Sequence, residues 1–352
     1  MTRASTLARD ATFVYALLIV YATLHPFTGW RDQGLSPLAW VGSWPKAFLQ
    51  ADLTFNICAY VPFGMLVVWA SFHFVRGMLA IGIALLLGAA LSFSLESLQS
   101  FLPSRIPSLA DLAANSIGAG IGAIIGAVLA PGLLENGALK AAGDRWFGAR
   151  TPRSLILAGL WLFAALYPQG MLFGYGSLKS VLGILSGYPF TPAEFARVET
   201  AVTGTSLFAA GSLLIMSLTP HAPRFLLTAA FIGLACVARA SSHAILFSPE
   251  LGLAWLTPGA QQGLMAGAVA LLVALMLPRA MLLALVAVAI TFSTVVVNLA
   301  PANPYYVAIV QALNPGRFLN FNGLTQTVAT LWPFLVVSYV LFSVAGRTQP
   351  DR

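Results

Sequence analysis

Apolar residues fall in unbroken stretches of about 20 along most of the chain, separated by short polar breaks, and no strand-like alternation of a membrane barrel runs through it. A helix of that length crosses the roughly 30 Å hydrocarbon core of a bilayer. Ten such stretches can be marked off, at about residues 11–26, 54–75, 77–100, 108–131, 153–172, 194–218, 223–247, 260–277, 279–299 and 323–344. The pattern predicts an all-α, polytopic helical membrane protein with about ten transmembrane helices. The first stretch follows Arg3 and Arg9 and is short enough to suggest a cleaved signal. Tyr21-Ala-Thr-Leu-His-Pro makes a poor small-x-small cleavage site, so this stretch is expected to remain as a span.

Composition narrows the class. Of the 352 residues, 59% are apolar and 8% charged, against about 25% charged in a soluble domain. So few charges cannot cover a soluble surface of this size, which excludes a cytosolic enzyme, a nucleic-acid binder and a disordered chain. Cys58 and Cys236 fall inside apolar stretches and give neither a disulfide framework nor a metal signature. The net charge of +7 is best read by side. With the N-terminus in the cytoplasm, the inward segments hold 11 Lys and Arg against 4 acids, and the outward ones 7 against 7. That asymmetry predicts a multi-pass protein of the cytoplasmic (inner) membrane with both termini inside. The basic balance therefore marks topology and calls for no nucleic-acid partner. A basic, glycine-rich stretch at 132–152 divides the chain. Residues 1–131 are expected to form a four-helix membrane domain, 132–152 a cytoplasmic linker, and 153–352 a six-helix membrane domain.

With this orientation, polar residues gather at the outer ends of the first four spans. Asp52 and Asn56 open the second, Glu96 and Gln99 close the third, Arg105 lies in the loop, and Asp111 and Asn115 open the fourth. His25 closes the first. Spacings of three and four place each pair on one helix face. Three successive helices thus present a carboxylate and an amide at one level. Bland readings exist for most of them. Asp52 can cap its helix, and Asp111 completes a Ser108-x-x-Asp111 capping box. Arg105 can pair with lipid phosphate or a carboxylate, and His25 before Pro26 suits an interface. Glu96 resists such a reading, because a carboxylate inside a span costs roughly 2.5 kcal/mol or more without a partner. Gly118, Gly122 and Gly126 form a small-xxx-small ridge suited to close helix packing.

These residues carry a family resemblance. His25-Pro26, Asp52-x-x-x-Asn56 followed by Tyr60-Val-Pro62-Phe63-Gly64, Glu96-x-x-Gln99, Arg105, and Asp111-x-x-x-Asn115-x-x-Gly118-x-x-x-Gly122 occur in the order and spacing of a VanZ-like domain, over about residues 10–130. The resemblance implies a small integral membrane domain and a theme of resistance to glycopeptide antibiotics of the teicoplanin type, but no reaction. The six further spans resemble extensions of longer members.

The second half has its own polar set. Thr191-Pro192-x-Glu194 reads as a capped helix start. Arg239 and His243, four apart, share a face near the end of the seventh span, and Arg239 needs a buried partner. The 300–322 segment, with Asn303, Tyr305, Tyr306, Asn314, Arg317, Asn320 and Asn322, suits an outer interface.

Three function classes follow. An envelope enzyme would use Glu96, Asp52 and Asp111 as acid/base groups or as oxygen ligands to a divalent cation such as Mg²⁺. His25, Asn56, Gln99, Arg105, Asn115, Arg239 and His243 would then bind the substrate, a membrane lipid or lipid-linked envelope intermediate. A non-catalytic binder or scaffold for such a lipid, or for an antibiotic, needs the same residues. A lipid or small-solute transporter is permitted by the span count, but its site is expected near the midplane and usually between repeats, and none is visible.

Overall fold

A computed structural model describes residues 3–34, 36–42, 44, 50–135, 138–147, 152–168, 170–179, 191–300 and 319–345. Among these residues the regular elements are helices, and eight are long and apolar enough to cross a membrane. By contact the chain divides into two compact units, Met1–Asp144 and Arg145–Arg352.

The first unit contains α1 (Arg3–Leu24), α2 (Gln50–Ser71), α3 (Gly77–Gln99), α4 (Leu109–Ala130) and most of the short α5 (Ala138–Trp146). The first four match the expected spans. The stretch expected as a linker carries α5, and a widened turn at Pro131–Glu135 lies before it. The closest pairing is α2 with α4, and the glycine ridge causes it. A Cβ on Gly118 or Gly122 would collide with the backbone carbonyl of Ile57 or Val61, and one on Gly64 with that of Ala119. Only glycine lets these backbones meet. Tyr60, Phe63, Val67, Val68, Leu95 and Ala119 fill the core between them. At the far end Trp69 donates its indole N–H to the Gly126 carbonyl at 3.0 Å, and Arg76 pairs with Glu135.

The second unit contains α6 (Pro152–Ala164), α7 (Pro192–Ser217), α8 (Arg224–Leu246), α9 (Pro258–Ala274), α10 (Arg279–Leu299) and α11 (Leu319–Ala345). The most enclosed of them is α7, flanked chiefly by α9 and α10. Its expected start is present: Thr191 and Glu194 form a reciprocal capping box with Pro192 in the first turn.

Two of the ten expected spans form shorter helices: 260–277 gives the 17-residue α9, and 153–172 departs further. The 153–172 stretch is helical only to Ala164. The chain beyond it is irregular yet buried, with Leu172 and Phe173 each 1% exposed. Hydropathy cannot distinguish a helix from buried irregular chain, because both are apolar. Irregular backbone is tolerated at such a place only if its polar groups find protein partners, and here side chains supply them. Arg239 donates to the carbonyls of Tyr167 and, at 2.6 Å, Gly170. Ser242 donates to the Leu166 carbonyl and Thr203 to that of Leu172, the latter at 2.8 Å. Asn298 donates to the Gly176 carbonyl and accepts from the Leu178 N–H, both at 2.8 Å. Trp161, Phe173 and Phe231 pack around the segment, with ring centroids 4.3 and 5.2 Å from Trp161. In the segment expected at an interface, Asn303, Tyr305, Tyr306, Asn314 and Arg317 lie outside the described residues, whereas Asn320 and Asn322 belong to α11.

Candidate functional site

In the first unit α1 and α3 finish, and α2 and α4 begin, at one end. The register of the last three helices stacks their polar residues in two layers. Asn56, Glu96 and Asp111 form the upper layer, one from each helix. Tyr60, Ser92 and Asn115 form the lower, each four residues further into its helix. Ser92 was not singled out from the sequence, and Tyr60 entered only through the family pattern, not as a site residue. Their signal was available, since each lies one turn from a residue that was singled out.

The upper layer is held by neutral donors. The Asn56 amide donates to Asp111 Oδ1 at 2.8 Å. The backbone N–H of Ser108 donates to Glu96 Oε2 at 2.8 Å, and Glu96 is only 3% exposed. This exchanges two expected roles. Ser108 is the N-cap of α4 and accepts from Ala110 N–H at 3.2 Å. The other half of the expected box does not fall to Asp111, which faces Asn56. Glu96 reaches across from α3 and caps α4 instead. Asp111 also lies near enough to Glu96 and Asp52 for like-charge repulsion. Asp52 itself is exposed in the first turn of α2, where a carboxylate favours the helix N-terminus.

In the lower layer the Asn115 amide donates to Ser92 Oγ at 2.9 Å, and Tyr60 is buried on α2. Asn115 is 6% exposed, and its Oδ1 has no hydrogen-bond partner among the described residues. A buried acceptor left unsatisfied costs about 1–3 kcal/mol, so this carbonyl favours a donor from outside the protein.

The remaining candidates frame this core. Gln99 donates to the Thr23 carbonyl at 3.1 Å and ties α3 to α1. Arg105 donates to the carbonyl of His25, whose Nδ1 lies 3.1 Å from the Tyr21 hydroxyl. Burial, and secondarily the Arg105 charge, holds the His25 imidazole below its usual proton affinity. Burial likewise lowers that of Arg105. Arg239 and His243 belong to the second unit. Arg239 is engaged by the irregular segment, and His243 Nδ1 lies 3.2 Å from the Arg239 carbonyl. Glu199, missed in the sequence because it follows a capped helix start, is 2% exposed and accepts from Thr257 Oγ1. It sits well past the first turn of α7, and that depth was the available signal.

Among the described residues, no three His, Cys, Asp or Glu side chains come together as metal ligands. A Mg²⁺ ion would have only the mode in which one or two carboxylates hold a mostly hydrated ion.

Residues 5–130 match the family model described as VanZ/LLP1. The first unit is a VanZ-like domain. The rest of the chain is a helical extension of it. Neither the curated proteins nor the solved structures contain a match to the chain. Both layers of the site, with Arg105 and His25, fall within the matched residues of the VanZ-like domain.

Proposed function

We propose that the two-layer polar site of the VanZ-like domain binds the headgroup of a lipid-linked cell-envelope intermediate at the outer face of the cytoplasmic membrane. The observation that carries this reading is the excess of acceptors. Glu96, Asp111 and the Asn115 carbonyl gather at one end of a membrane bundle; their named donors are the Asn56 amide on Asp111 and the Ser108 N–H on Glu96, and the Asn115 carbonyl has none among the described residues. Buried carboxylates inside spans are rare unless paired or working. Hydroxyls or an amine on a headgroup would complete the set, and the orientation read from the basic residues puts this end outside.

The test is a lipid extract of the purified protein, compared between the natural chain and Glu96→Gln. A specific envelope lipid co-purifying with the first and lost from the second supports the reading. Identical lipid profiles overturn it. Chemical change of that lipid on incubation would make the protein an enzyme, with Glu96, Asp52 and Asp111 as its acid/base groups. Recovery unchanged would make it a binder. Protection of cells from teicoplanin-type glycopeptides would follow if the bound intermediate is the drug's target, and the Glu96→Gln strain would lose that protection. Transport is the weaker reading, because the irregular segment's carbonyls in the second unit are already taken by protein donors.

A further inference from the structure

We propose a second, separate site in the VanZ-like domain: a groove between α1, α2 and α3 that takes one acyl chain of an anionic phospholipid, with its phosphate on Arg9. The groove has a volume of about 660 Å³ and is lined by none of the polar-site residues. Its walls are apolar side chains such as Phe13, Phe63 and Leu87, with three hydroxyls among them. Each of those hydroxyls is turned back on its own helix. Thr12 donates to the Ala8 carbonyl at 2.7 Å, Ser71 to that of Val68 at 3.1 Å, and Ser94 to that of Ala90 at 2.8 Å.

Water needs two to four polar partners to settle in a cavity, and these walls do not supply a convergent set. An empty groove would forfeit dispersion contacts along its length. A hydrocarbon chain suits both conditions. The α3 wall runs from Ile83 to Ser94, about 16 Å at the helical rise. That is roughly half of a 30 Å hydrocarbon core, the depth of one leaflet. Arg9 is the charged residue of the lining, and it sits at the end where α1 begins. Its partner Asp10 lies 3.6 Å away with both side chains solvent-accessible, and exposed pairs of this kind hold little energy. The guanidinium therefore remains available for bidentate binding of a phosphate.

The full chain in mild detergent would be mixed with equal amounts of phosphatidylglycerol and phosphatidylcholine and examined by native mass spectrometry. One retained phosphatidylglycerol per chain is expected, favoured about fivefold, the factor a single basic residue near an anionic lipid supplies. Arg9→Gln should bring the ratio near unity, and Ala90→Trp, which fills the groove, should remove retention of both lipids. Equal retention of the two lipids by the natural chain, or retention unaffected by Ala90→Trp, overturns the proposal. A phosphatidylglycerol with a photoreactive group mid-chain gives a readout that needs no variant. Labelling should fall on the peptides holding Phe13 and Leu87, and labelling elsewhere overturns the proposal as well.

Discussion

The two units bury polar groups in opposite ways. In the extension, Arg239 holds the carbonyls of Tyr167 and Gly170, Asn298 holds Gly176 and Leu178, and Glu199 accepts from Thr257. Arg239 and Asn298 fix a stretch of chain that is not helical, and Glu199 holds the capping threonine of α9. In the VanZ-like domain, Asn56, Glu96, Asp111 and Asn115 lie on regular helices that need little such help, and the Asn115 carbonyl is left over. Buried polarity that is consumed in holding backbone is scaffold. Buried polarity with acceptor capacity unspent is where a ligand gains.

The contrast breaks first in the extension. Arg239→Met should leave two buried carbonyls unmatched and Glu199 without a nearby positive charge, at a cost of about 3–5 kcal/mol. Loss of folded protein on size-exclusion chromatography is the expected outcome. A well-folded variant would mean that the irregular segment does not depend on this guanidinium. In the VanZ-like domain, Glu96→Ala should cost less, about 1–3 kcal/mol, because it strands the Ser108 N–H. A lowered melting temperature in detergent measures it. Glu96→Gln keeps an oxygen for that N–H, so its melting temperature should shift by a smaller amount while lipid recovery falls. Asp111→Asn should likewise fold and lose lipid, since Asn56 can still donate to an amide oxygen. If Asp111→Asn instead melts early and retains its lipid, Asp111 is a cap after all.

The smallest effect concerns pH. The His25 imidazole has a proton affinity below its unfolded value. Its contribution to stability is therefore present above about pH 6.5 and fades as the pH falls through the folded value. Melting temperature should drop on acidification, and His25→Gln should reduce that slope. An unchanged slope would remove His25 as the source.

Much of this was legible from residue spacing. The four helices of the VanZ-like domain, the glycine ridge and the gathering of Glu96, Asp111, Asn56 and Asn115 follow from periods of three and four and from alternating crossings. Who bonds whom was not. The Ser108-x-x-Asp111 pattern is local and looks complete, so nothing in it announces that a carboxylate 12 residues earlier takes the cap. In the extension, hydropathy marked 153–172 as one span because Leu166, Met171 and Leu172 are as apolar as helix residues. The segment's irregular course depends on Arg239, Ser242, Thr203 and Asn298, which are distant in sequence; Arg239 was marked by its need of a buried partner, but nothing local names that partner.

The bond between Glu96 and Ser108 also bears on how the protein is made. A chain emerging from the ribosome presents α3 before α4, and until Ser108 arrives the Glu96 carboxylate has no N–H to receive. Stalling between the two would leave a charged end facing lipid, at a cost that favours slipping back out. Once α4 follows, each helix supplies what the other lacks. The two are therefore expected to enter the bilayer as a hairpin, and a chain cut within residues 100–107 should fail to hold α3 in place.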